Sequence, residues 1–287
     1  MSDLEAPPGS LSTPYAAKKA PSSRAPASAA GVARSLLHFF ADWLVAMFAM
    51  LAMLVSTGFI WAIWRGIQIG VRDGVSDMDA SALVQAVGKP SAVATIVMVL
   101  ISTGGAALLL YFWRRRATAA ERAYSRQAAL SKSTWVKAAL VGTGVFLIST
   151  LLTRLAQSFG IAPNPSNLGL IKDVFATHPV FLSLFAVVLA PAYEELLFRR
   201  VLFGRLWAAG WPWLGAVLSS LAFALAHELP GANGNAPLAT LLLWVIYAGM
   251  GMAFAWLYRR TGTLWAPVGA HMLNNALALS LFGLVGS

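Results

Sequence analysis

The chain has 287 residues, 58% of them hydrophobic and 11% charged, with a mean hydropathy of +0.69, a balance that excludes an ordinary soluble globule and points to a polytopic membrane protein. Its formal net charge of +10 reads as cytoplasmic Lys and Arg loops facing anionic lipid, and no nucleic-acid partner is expected. With no cysteine in the chain, disulfides and thiolate metal sites are excluded.

Residues 1–34 are rich in Ala, Pro and Ser and carry Lys18, Lys19, Arg24 and Arg34. They read as a disordered basic tail without the apolar stretch of a signal peptide. The first expected span is 43–64, with Trp43 and Trp64 as interface anchors. A polar loop over 65–91 holds Asp73, Asp77 and Asp79, and the second span, 92–113, ends in Tyr111-Phe112-Trp113. A basic connection from Arg114-Arg115-Arg116 to Lys137 leads to a third span at 138–159. Residues 160–178 are expected to form a Pro- and Asn-containing loop with a short interfacial helix, before a fourth span at 180–207. Gly210-Trp211-Pro212 breaks that helix, and spans at 213–228, 238–258 and 264–285 complete the set.

The expected fold is therefore all-α: a polytopic transmembrane helix bundle of about seven spans. With the N-terminus inside, 16 of the 21 Lys and Arg fall on cytoplasmic segments and 5 outside, which favours an N-inside, C-outside orientation. Three regions are expected: the tail (1–34), two N-terminal spans with the basic loop (35–133), and a catalytic membrane domain (134–287).

The polar residues inside these spans carry the functional signal, because ionised groups in an apolar segment are costly and mark partners or wet cavities. Glu194 and Glu195 lie in Pro-Ala-Tyr-Glu-Glu-Leu-Leu-Phe-Arg-Arg, residues 191–200. Glu195 and Arg199 are i, i+4 and share a helix face, so they can pair. Glu194 is turned about 100° away and left free for chemistry. On the fifth span Phe223 and His227 share a face, and on the seventh His271 and Asn275 do. Asn274 is expected to point about 100° away from that face. His227-Glu228-Leu229-Pro230-Gly231 begins like the HExxH zinc motif but has Gly231 where the second histidine would stand. Each feature has a structural alternative: snorkelling arginines, a histidine at a helix end, an interhelical hydrogen bond. Together, an acid, two imidazoles and an amide on three spans form the parts list for water attack on a carbonyl.

The ordered set EExxxR (Glu194, Glu195, Arg199), FxxxH (Phe223, His227) and HxxxN (His271, Asn275) resembles the CPBP family of intramembrane proteases, which includes the type II CAAX prenyl endopeptidases and the Abi proteins linked to bacteriocin self-immunity. The resemblance covers about residues 134–287. It implies an endopeptidase in which Glu194, aided by His227, activates water and His271 with Asn275 forms an oxyanion hole, with Glu195, Arg199 and Phe223 in support. It implies no cofactor; zinc is disfavoured because Asn is a poor ligand and the zincin spacing is missing. The implied substrate is a membrane-associated peptide or protein, reached through a cavity opening to the cytoplasm or sideways to lipid. The implied location is the bilayer, in a bacterial inner membrane. Eukaryotic prenyl proteases have a further C-terminal span for which this chain, ending at Ser287, leaves no room. Two rivals stand beside this reading: a non-catalytic immunity or scaffold protein of the same fold, and a transporter, disfavoured because no repeat symmetry is evident.

Overall fold

The structure, a computed structural model, describes residues 29–73, 79–231 and 234–285. The expected tail lies outside the described residues up to residue 28, and Asp77 of the expected 65–91 loop lies outside them too. Among the described residues every regular element is a helix. They are α1 (Ala29–Asp73), α2 (Ala80–Val87), α3 (Ala92–Arg114), α4 (Ala119–Ala129), α5 (Lys132–Ser158), α6 (Leu168–Thr177), α7 (Pro179–Ala208), α8 (Pro212–His227), α9 (Pro237–Thr261) and α10 (Trp265–Val285).

Five of them, α1, α3, α5, α7 and α9, are long and apolar enough to cross a membrane. The other two expected spans are helices of a different kind. α8 is apolar but has 16 residues, a rise of about 24 Å against the roughly 30 Å of a hydrocarbon core. α10 is a continuous 21-residue helix whose apolar run is broken by His271, Asn274 and Asn275. The first element also departs from expectation. α1 runs for 45 residues and stays helical through Arg65 to Asp73, and α2 follows, so most of the 65–91 segment is helix rather than loop. Many of its apolar side chains, such as Phe48 and Phe59, face outward, as a lipid-covered helix requires, while Phe39 and Ala46 pack into the bundle.

Local chemistry explains the boundaries. Pro179, Pro212 and Pro237 stand in the first turns of α7, α8 and α9, where a missing N–H costs nothing. Thr118 and Glu121 form a reciprocal capping box that starts α4. Gly262 ends α9 with φ +71°, and an added Cβ would lie 2.4 Å from the Tyr124 ring, so α4 docks there only against glycine. α5 and α10 approach closely at Gly142, where a Cβ would stand 2.5 Å from the Ala270 carbonyl oxygen, next to His271.

α7 carries widened, π-helical turns over Leu184–Leu189 and again over Leu196–Phe203. Pro191 has no N–H to return to Val187, and the first widening falls where that bond is missing. The main core packs Leu197, Phe198, Val201 and Leu202 of α7 against Phe223 of α8 and Phe254 of α9.

Ion pairs tie one end of the bundle. Asp42 of α1, fully buried, accepts from Arg114 Nε at 2.8 Å and from Arg205. Glu121 of α4 accepts from both Nη atoms of Arg200, at 3.2 and 2.8 Å. Partial burial of Glu121 opposes its ionisation, but the Arg200 guanidinium and the Thr118 backbone N–H hold its carboxyl down at about 2.

Candidate active site

α7, α8 and α10 bring their polar residues to one place. Glu194 Oε2 lies 3.8 Å from His227 Nε2 and 3.8 Å from His271 Nε2, so one carboxylate sits between two imidazoles. His227 is the last residue of α8, so its ring meets Glu194 from that helix's end.

Each imidazole is fixed through its other nitrogen. His227 Nδ1 is 2.9 Å from the Phe223 carbonyl oxygen, one turn back. A carbonyl only accepts, so Nδ1 carries the proton and Nε2 of the neutral ring presents its lone pair toward Glu194. The ring is held between aromatic faces, Phe223 at 4.3 Å and Tyr247 at 4.7 Å between centroids. His271 Nδ1 donates to Glu195 Oε1 at 3.0 Å, and its ring stacks on Phe254 at 5.0 Å.

Glu195 and Arg199 do pair, as their spacing requires, with Oε2 and Nε 2.9 Å apart and both side chains fully buried. The groups are close without being aligned as a hydrogen bond, and the Arg199 Nη atoms have no hydrogen-bond partner among the described residues. The guanidinium is instead surrounded by rings, Phe223 at 4.9 Å, Phe254 at 5.6 Å and Phe198 at 6.0 Å. Phe223 thus supplies a carbonyl to His227, a face to His227 and a face to Arg199.

Asn275 Nδ2 donates to the Ala186 carbonyl at 2.8 Å, inside the first widened turn of α7, and its Oδ1 accepts from Asn274 Nδ2 at 2.9 Å. These two bonds fix which way the amide faces, and leave one Nδ2 hydrogen. Asn274 does not point away: it lines the same cavity and is buried. Spacing alone missed it, because around a wide cavity two adjacent helix positions can both face the opening.

The cavity has a volume of about 600 Å³ and reaches from Glu194, His227 and His271 between apolar side chains of α3, α6, α7 and α10, including Ile96, Leu182 and Phe282. α1 and α3 contribute Met50 and Val99, so its wall is not confined to residues 134–287. Pro165 to Leu168 cover it. That cover is latched at Ser166, whose N–H donates to Glu228 Oε1 and whose hydroxyl donates to the His227 carbonyl, both at 2.7 Å. Glu228, the second residue of the interrupted zinc-like motif, is 1% exposed, and its backbone carbonyl accepts from Trp244 Nε1 at 2.8 Å. Among the described residues no three His, Asp or Glu side chains are grouped so as to ligate one metal ion.

An all-α bundle with apolar crossing helices and this buried cluster defines an integral membrane protein. Residues 176–277, which contain Glu194, His227, His271 and Asn275, match the family model for Rce1-like type II CAAX prenyl endopeptidases. It is 33% identical over 121 residues to YdiL of Bacillus subtilis, described as a candidate membrane peptidase, covering 42% of this chain and 45% of that one. It is 30% identical over 147 residues to the membrane-embedded CAAX protease MroQ of Staphylococcus aureus, covering 49% and 53%. The chain thus spans about half the length of these curated relatives. No solved structure matches it.

Proposed function

We propose that the protein is an intramembrane endopeptidase of the glutamate type, acting on a membrane-associated peptide or protein in a bacterial inner membrane. The observation that carries this reading is the single carboxylate flanked by two imidazole Nε2 atoms at 3.8 Å. That separation is too long for a direct bond and suits one bridging water. Glu194 takes a proton from this water, with the bare Nε2 of His227 as second acceptor, and the water oxygen attacks the peptide carbonyl carbon.

The negative charge then develops on the former carbonyl oxygen. His271 faces it with Nε2, and donates there when the ring holds both protons, with Glu195 as counter-ion at Nδ1. The remaining Nδ2 hydrogen of Asn275 is the second donor. The carbon–nitrogen bond breaks as the proton held by Glu194 passes to the leaving amine, and the carboxyl product keeps the water oxygen. Every step is written with side chains alone, and none is assigned to a metal. The apolar cavity wall selects for apolar side chains beside the scissile bond. CAAX cleavage belongs to the family by name; for this chain the proposal is peptide-bond hydrolysis in the membrane.

The test is a peptidase assay on purified protein in lipid, with fluorogenic peptides carrying apolar residues around the cleaved bond. Glu194→Gln is expected to abolish cleavage and leave the melting temperature in place, and a chelator is expected to leave the wild-type rate unchanged. Cleavage retained by the folded Glu194→Gln protein would overturn the reading in favour of a binding or immunity role.

A further inference from the structure

The walls of the cavity run from the middle of the bundle to one of its ends. Ile96 belongs to the first half of α3 and Leu182 to the first half of α7, Phe282 lies near the end of α10, and His227 is the last residue of α8. In a bundle whose helices alternate in direction, these positions share a side. The opposite ends of α3 and α7 carry Arg114-Arg115-Arg116 and Arg199, Arg200 and Arg205, the cations that the charge bias places toward the cytoplasm.

That cytoplasmic end is closed. Arg114 and Arg205 both bind buried Asp42, Arg200 grips Glu121 from α4, and Arg115 Nη2 donates to the Gly204 carbonyl at 2.8 Å. Between these ties and Glu194 lie Phe198, Val201 and Leu202, all buried. Among the described residues, the other end is covered by the 161–167 segment and by the start of α6, the segment being fixed by the two Ser166 bonds and by a reciprocal Asn164–Asn235 pair, at 3.1 and 2.8 Å. Hydrogen bonds at a loop open more readily than a network of partly buried ion pairs. The weaker barrier is on the extracytoplasmic side.

We infer that the site is reached from the extracytoplasmic side, beneath the 161–167 segment, so that its substrate is a polypeptide presenting an apolar segment at that face of the membrane. This differs from the cytoplasmic opening that the family resemblance implied. The substrate class rests on the peptidase reading of the previous section, while the sidedness does not.

The absence of cysteine gives a clean background for the test. Leu170→Cys and Ala278→Cys place a thiol on the cavity wall. Gln157→Cys at the far end of α5 and Ser131→Cys just before its start mark the two sides, both positions being exposed. Intact cells are treated with a membrane-impermeant sulfonated maleimide, then permeabilised and counter-labelled. Leu170→Cys and Ala278→Cys are expected to behave like Gln157→Cys, losing their capacity for the second label, while Ser131→Cys keeps it. Cavity thiols that react only after permeabilisation, or that react from neither side, overturn the inference. The same labelling in a Glu194→Gln background separates the two claims, because sidedness then stands or falls without reference to turnover.

Discussion

Glu195 and His271 meet across 76 positions of sequence through a 3.0 Å contact between Oε1 and Nδ1, and both are buried. This makes Glu195 more than a helix tether. One of its oxygens faces Arg199 and the other sets the orientation of His271, so the stability of α7 and the aim of the oxyanion donor depend on one carboxylate.

The two roles separate by experiment. Glu195→Gln leaves Arg199 buried without its counter-charge and should cost about 3–5 kcal/mol of stability. It should also lower kcat by about 10²–10³-fold, with KM little changed, because His271 loses the carboxylate that fixes the aim of its ring. The double variant Glu195→Gln/Arg199→Met removes the unpaired cation and should recover much of the melting temperature without recovering kcat. If rate returns together with stability, Glu195 is only a structural partner of Arg199.

Asn274 is expected to act through Asn275. Its Nδ2 donates to the Asn275 Oδ1, and Ala186 receives the opposite side of the same amide. Asn274→Leu removes one neutral hydrogen bond, worth about 1 kcal/mol, and lets the Asn275 amide turn over. The expected result is a fall in kcat of about 5–10-fold at unchanged KM. An unchanged kcat in a folded Asn274→Leu protein would show that Ala186 alone orients the amide.

The sequence makes the three motif helices legible because their signals are local: i, i+4 pairs and long apolar runs depend on neighbours in the chain. That is why Glu195–Arg199, Phe223–His227 and the α7, α8 and α10 placements can be read before any coordinates. The far end of α1 is different. Hydropathy marks where oil stops, and helical hydrogen bonding continues through Arg65 to Asp73 in residues a hydropathy plot reads as loop. Glu228 is different again. Its partner Ser166 is 62 positions away, and nothing local says that a carboxylate beside a helix end is 1% exposed. The widened turn at Ala186, which offers its carbonyl to Asn275, follows from Pro191, but its consequence for a helix 89 positions on does not.

The Glu121–Arg200 pair makes a prediction about pH. Glu121 ionises at about 2 in the folded chain against an ordinary 4.5. A depressed carboxyl contributes stability that is complete above its unfolded value and lost as pH falls through the folded one. The contribution is therefore constant at neutral pH and fades between about pH 4.5 and 2. Glu121→Gln should flatten this part of the acid stability curve and leave the slope between pH 6 and 8 unchanged, as followed by thermal melts of protein in lipid across pH. An unaltered acid limb in the variant would mean that the pair does not hold α4 to α7.

The two latches over the cavity should have separable effects. The Ser166 hydroxyl donates to the carbonyl of His227 itself, so it restrains both the cover and the end of α8. The Asn164–Asn235 pair holds the same cover but touches neither His227 nor Glu228. Loosening a cover changes how substrate gets in, whereas loosening His227 changes the chemistry. Asn235→Ala is accordingly expected to alter KM with kcat retained. Ser166→Ala, which keeps the backbone N–H bond to Glu228, should lower kcat by about 3–10-fold, the rate equivalent of roughly one hydrogen bond. Glu228→Ala removes the acceptor of the Ser166 N–H and should lower kcat further while increasing hydrogen exchange over 161–167. If Ser166→Ala and Asn235→Ala change KM alike and neither touches kcat, the cover is a simple lid, and His227 is held by Phe223 and Tyr247 without help from it.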